Sequence, residues 1–116
     1  MQAVSLSSAA AFRLAYREGR RLTDDLLAIY ARRNGLPVTR IGISVRRSTG
    51  TAVRRNRVRR RVREAIRLEH PQMGGGFDVV IVPRLPVAVA PFSALRAAVH
   101  DLLQQAGVVR GAGEGS

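Results

Sequence analysis

Gly50–Leu68 reads GTAVRRNRVRRRVREAIRL. Arginine fills positions 54, 55, 57, 59, 60, 61, 63 and 67, eight of the fourteen residues from Arg54 to Arg67. On a helix each residue advances about 100° around the axis. Val58, Val62, Ala65 and Ile66 then share one narrow face, the stripe of a helix packed on a core. Asn56, Arg60, Arg63 and Arg67 lie opposite, with Arg57, Arg59 and Arg61 on the flanks. The spacing predicts a helix held by aliphatic side chains on one side and presenting guanidinium groups on the other.

A planar guanidinium donates two parallel hydrogen bonds to phosphate oxygens and stacks on bases. Crowded on one helix, such groups repel one another, and a polyanion relieves that repulsion. A solvated charged face would alternate the two signs. Here Glu64 alone offsets the run, with Glu69 just beyond it. The formal net charge of +12 points the same way. Duplex-DNA modules place a recognition helix in a mostly helical domain, whereas this helix lies among strand-like segments, which favours an RNA-facing protein.

The chain of 116 residues has the length of one domain, and 46% hydrophobic residues supply one small core. All 20 basic residues are arginine and none is lysine. There is no cysteine, which excludes disulfides, thiol catalysis and thiolate metal sites. The first twelve residues lack the cationic start of a signal peptide, and no stretch reaches the roughly 20 apolar residues of a membrane span. The expected location is cytoplasmic, with no membrane partner.

Ser7 or Ser8 is a candidate cap for a helix to about Glu18, ended by Gly19. Ala9, Phe12 and Tyr16 share its face. Leu22–Arg32 reads as one strand with room to bend into two, closed by the turn Asn34-Gly35-Leu36-Pro37. Arg40–Arg47 alternates Ile41, Ile43 and Val45 with Gly42, Ser44 and Arg46, a half-buried strand. The small Gly42 and Ser44 are expected to leave floor space for a ribose-phosphate chain. The basic helix starts near Val53 or Arg54 and ends before Pro71. Met73–Gly76 reads as a flexible loop, and Phe77–Val82 as a buried strand stopped by Pro83. Residues 84–91 form a loop. A last helix runs to about Gln105, striped by Leu95, Val99, Leu102 and Leu103. The result is one α+β domain, a two-layer sandwich of order α-β-β-α-β-α with a split βαβ. It spans residues 1–106, with 1–7 a candidate disordered lead and 107–116 a disordered tail.

Nothing in this pattern looks like a protein nuclease, which needs clustered carboxylates holding metal ions or a histidine base beside a nucleophile. The eight acidic residues are scattered, and Asp24 and Asp25 would point to opposite faces of a strand. His70 and His100 have no ligand-spaced partner, and no phosphate-binding glycine loop occurs. No catalytic residue, metal ligand, bound cofactor or small-molecule substrate is expected; the protein reads as a binding module.

Arg55-Asn56-Arg57, preceded by Gly50-x-Ala52-Val53 and followed by Arg60, Arg63 and Glu64, closely resembles the signature helix of the bacterial ribonuclease P protein family. The resemblance runs over about residues 10–105. It implies a ribosomal protein S5 domain 2-like fold with a left-handed crossover around the basic helix, against the usual hand. It also implies an endonuclease whose RNA subunit holds magnesium and removes the 5′ leader of precursor tRNA. The protein alone would then be inactive. Carried onto this sequence, Arg54, Arg55, Asn56, Arg57, Arg59, Arg60, Arg61, Arg63 and Arg67 would bind the catalytic RNA. Phe12, Tyr16, Tyr30 and Ser44, edged by Arg46 and Arg47, would line a groove for the leader. The chain departs from the family's pattern in its uncharged start, in Ser48 where a basic residue is expected, and in Thr51. Two competing functions fit the same basic helix: a ribosome-associated RNA-binding protein of similar fold, and a basic DNA-binding or chromatin protein.

Overall fold

A computed structural model describes residues 3–109. Its centre is β5, Phe77–Pro83, buried along its whole length. The run FDVVIV is apolar on both sides of the pleat, and a strand of that kind needs cover on both faces. Val79 and Ile81 face one layer of the core, and Val80 and Val82 face another. The two-layer expectation therefore gains a third layer, because helices cover both faces of the sheet.

On one face lie α2, Ala52–Glu69, and α3, Phe92–Gln105. Val58, Val62, Ala65 and Ile66 of α2 meet Leu95, Val99, Leu102 and Leu103 of α3 in the main core. On the other face lies α1, Ala9–Glu18, whose Ala15 packs with Ala28, Val80 and Val82 in a smaller cluster. Ser8 caps α1, its Oγ accepting from the Ala11 N–H at 3.3 Å. Gly19 ends it where any Cβ would stand 2.4 Å from the Ala15 carbonyl oxygen. Thr51 caps α2 through the Arg54 N–H at 3.2 Å, so that helix starts slightly ahead of the expected Val53.

The strand expected over Leu22–Arg32 is a hairpin: β2, Arg20–Thr23, and β3, Leu27–Arg33. Asp24 makes the turn, its Oδ1 accepting from the Leu26 and Leu27 N–H groups at 2.8 and 2.9 Å. β4, Thr39–Ile43, is shorter than the expected Arg40–Arg47, since the chain coils into a single 3-10 turn at Arg47–Thr49. A short β1, Ala3–Ser5, was not expected at all; it pairs in parallel with β4. The sheet order is β1-β4-β5-β3-β2. The two strands joined by α2, β4 and β5, pair directly and in parallel. β3 is antiparallel to both of its neighbours and separates β5 from β2, so no strand lies between the two parallel strands β4 and β5.

Both ends of the sequence reading move. Ala3–Ser5 of the lead expected to be disordered belongs to the sheet. At the other end Val108 and Val109 are buried in the main core, so the domain runs past Gly107; the rest of the expected tail, 110–116, lies outside the described residues. Met73–Gly76, expected to be flexible, is tied down. The Gly74 N–H donates to the Val108 carbonyl at 2.8 Å, and the Thr39 hydroxyl to the Gly74 carbonyl at 2.6 Å. Buried Met73 bridges Val109.

One buried charge pins β3, β4 and β5 together. Asp78, fully buried, accepts a two-pronged bond from Arg40 at 2.7 and 2.6 Å and a third from the Asn34 amide at 2.9 Å. Burial pushes its carboxyl pKa up. The Arg40 fork and the Asn34 amide, with the Arg32 charge 3.9 Å away, outweigh that and hold it below its ordinary value.

Candidate nucleic-acid interface

Along α2 the burial follows the expected wheel: Val58 and Val62 are 0% exposed, and Arg54, Asn56, Arg57, Arg60, Arg63 and Arg67 are exposed. Arg55 and Arg59 are half-buried. The arginine side is held open by few internal contacts. Arg59 donates to the Asn56 side-chain oxygen at 3.1 Å, and Arg67 grips Glu64 at 3.0 Å, one turn away. That grip lowers the Glu64 pKa. Arg61 differs from its neighbours. It is half-buried and its Nη2 donates to the Ala90 carbonyl, so its fork ties α2 to the segment before α3. Its expected place on the RNA face is corrected by that inward bond.

The residues expected to form one leader groove are distributed around the rim of the sheet. Tyr16, exposed on α1, meets the half-buried Tyr30 of β3 edge to face, ring centres 4.9 Å apart. Tyr30 and Arg46 line a recess of about 160 Å³ together with Arg21, Ser48 and Arg84. Arg21 reaches this site from β2, paired in register with Tyr30; its Nε donates to the tyrosine hydroxyl at 3.2 Å. Arg84 follows β5 and donates to the Thr23 hydroxyl at 2.6 Å. Both were missed in the sequence. Ser48, standing where a basic residue was expected, shares the recess with these two cations.

Phe12 lines a different and larger recess, about 420 Å³, with Gly42 and Ile43 of β4 and with Arg59, Arg63 and Arg67 of α2. A Cβ at residue 42 would stand 2.3 Å from the Phe12 ring. The floor space left by Gly42 is therefore filled by that ring, not kept free for a ribose-phosphate chain. Ser44 is half-buried and its N–H donates to the Ile81 carbonyl at 2.9 Å; it lines neither recess. Arg47 is exposed in the turn before α2 and also lines neither.

Among the described residues no three His, Cys, Asp or Glu side chains gather where a metal ion could be held. His100 is not isolated as expected: its Nδ1 lies 2.6 Å from buried Glu69, bridging α3 to α2. Among the described residues no helix is long and apolar enough to cross a membrane.

An α+β sheet with a guanidinium-studded helix on one face and a tyrosine pair ringed by arginines on the other defines a nucleic-acid-binding protein. Comparison with known proteins narrows this. The ribonuclease P family profile matches residues 1–107. The ribonuclease P protein component of Roseiflexus castenholzii is 46% identical over 97 residues, covering 83% of this chain and 80% of that one. The solved ribonuclease P protein of Thermotoga maritima superposes with a TM-score of 0.79 at 32% identity, covering 87% of this chain and 96% of that one. The Staphylococcus aureus ribonuclease P protein, at 24% identity and a TM-score of 0.82 over 94% and 100% of the two chains, shares the fold. This chain belongs to the ribonuclease P protein family. Membership makes it a subunit of an endoribonuclease whose partner is the ribonuclease P RNA.

Proposed function

We propose that the chain docks on the ribonuclease P RNA through the outward arginines of α2, and that it steers the 5′ leader of precursor tRNA past Tyr16 and Tyr30. The observation that carries this is the division of α2. Its valines are sealed in the core while Arg54, Arg57, Arg60, Arg63 and Arg67 stand exposed. A face of that kind neutralises phosphates at no cost to the fold. Tyrosine faces and edges accept unpaired bases without regard to sequence, which suits a leader of variable sequence. Arg21, Arg46 and Arg84 supply the charge around them.

The hydrolytic chemistry in this reading is the RNA's, with magnesium held by that RNA and none by the protein. The protein's residues bind, orient and screen charge. The same reading places the complex in the cytoplasm, with precursor tRNA as the substrate.

Reconstitution tests it. Full-length protein alone leaves precursor tRNA intact, and the protein added to its catalytic RNA at low magnesium restores leader removal. Cleavage at the correct site by protein alone, or absence of rescue, would overturn the proposal.

A further inference from the structure

We infer that the Asn34-Gly35 peptide is a self-modification site, closed by folding, that converts in chains whose β3–β4 turn has opened. The chain has two asparagines, and Asn34 alone precedes a glycine. An asparagine side-chain amide is open to attack by the backbone nitrogen of the next residue. Glycine, which has no side chain, leaves that nitrogen uncovered. Gly35 is exposed in the turn at a φ of 72°, and a Cβ there would meet nothing within 4 Å. Its N–H bonds to no acceptor among the described residues. Asn56, the other asparagine, precedes the larger Arg57 inside α2.

The nucleophile is free and the electrophile is held. The Asn34 Nδ2 donates to the Val38 carbonyl at 3.1 Å and to Asp78 Oδ1 at 2.9 Å, and its Oδ1 accepts from the Leu36 N–H at 2.8 Å. Ring closure needs the amide to turn its carbon to the Gly35 nitrogen, and bonds at both ends of the amide oppose that turn. In an opened turn the Gly35 nitrogen gives up its proton and bonds to Cγ. The Cγ–Nδ2 bond breaks, ammonia leaves, and a five-membered imide forms. Water then opens the ring on either side, giving aspartate, or isoaspartate with the backbone routed through the side chain. The sum is amide plus water to carboxylic acid plus ammonia. Neither product fits the place that Asn34 leaves. A carboxylate at 34 meets the buried Asp78 where a donor stood, and two close buried anions repel. Isoaspartate also adds a backbone atom to the turn. The fold thus shields this bond, and a chain that stays open loses the means to close.

The test incubates the full chain, folded and in urea, at one mildly alkaline pH. Trypsin then releases the peptide Asn34–Arg40, in which conversion reads as a gain of about 1 Da and as two isomers, one accepting a methyl group from an isoaspartyl methyltransferase. The folded chain should convert at least about tenfold more slowly than the chain in urea. Gly35→Ala in urea should slow conversion at least about tenfold, because a methyl group now covers the attacking nitrogen. Asn34→Asp should melt about 10 °C or more below wild type, and well below Asn34→Ser, which loses the amide without adding charge. An unfolded Asn34→Asp beside a folded Asn34→Ser is the same result in stronger form. Equal rates in folded and open chains would show that folding does not close the site. An unslowed Gly35→Ala would remove the Gly35 nitrogen from the chemistry. An Asn34→Asp as stable as Asn34→Ser would show that Asp78 does not feel the new charge. Each of these three overturns the inference.

Discussion

Separate substitutions on the faces of α2 should separate stability from RNA affinity. Val62 is fully buried in the main core. Val62→Ala removes two methyl groups, worth about 1.6 kcal/mol at about 0.8 kcal/mol each. The cavity left behind raises the cost to about 2.5 kcal/mol. For a domain of this size that lowers Tm by about 10–15 °C. Arg60 is exposed and bonded to nothing within the protein among the described contacts. Arg60→Ala should therefore stay within about 0.5 kcal/mol of wild type. It should instead weaken binding to the catalytic RNA and reduce the slope of log K against log salt by about 0.7–0.9, one phosphate's worth. Arg61→Ala is the internal contrast. Losing its bond to the Ala90 carbonyl should cost about 1–2 kcal/mol and leave the salt slope alone. Thermal melts and filter binding across a salt series read both quantities. A stable Val62→Ala beside an unfolded Arg60→Ala would show the faces inverted, and a lowered slope for Arg61→Ala would show its fork reaching the RNA.

Two further predictions concern the sheet. Asp78→Asn strips the buried carboxylate from Arg40 and should cost about 3 kcal/mol. Because the folded Asp78 carboxyl titrates below its unfolded value of about 3.9, its contribution is complete above that pH and is lost as pH falls through the folded value. Denaturant melts between pH 5 and 2 should therefore fall more steeply for wild type than for Asp78→Asn, and parallel curves would count against the pairing. Gly42→Ala drives a methyl group into the Phe12 ring and should cost about 1–2 kcal/mol while shifting the ring's proton resonances. Unmoved resonances would place that ring elsewhere.

The basic helix was legible because its valines repeat at helical spacing among arginines, a pattern with one physical solution. β5 was equally plain: an apolar run interrupted only by Asp78 and bounded by glycine and proline reads as a covered strand. What that run also implied, cover on both sides, needed the position of α1, and α1 is assigned to its face by contacts between Ala15 and Val80 that lie far apart in sequence. The hairpin at Asp24 was hidden by chemistry in plain view. An aspartate followed by another aspartate is a poor strand residue, and its side chain makes the turn. Reading that turn would have paired Arg21 with Tyr30 and found the missed cation. Arg84 had no local signal, since only the end of β5 brings it to β2. Arg61 was misjudged because the wheel gives a direction from the helix axis and not the carbonyl that waits there. β1 has three residues and no strong pattern, and it exists only because the edge of β4 is free to receive it.

The middle strand of the sheet comes from the last third of the chain, and β3 and β4 pair with it and not with each other. During synthesis, at about 5–20 residues per second, the arginine helix is finished before Phe77–Pro83 exists to receive its valines. Between the end of the helix at Glu69 and the end of β5 at Pro83 the nascent protein thus spends roughly 0.7–3 s as a cationic amphipath with no interior. Folding quickly past that point, or meeting its RNA there, is a demand written into the topology itself.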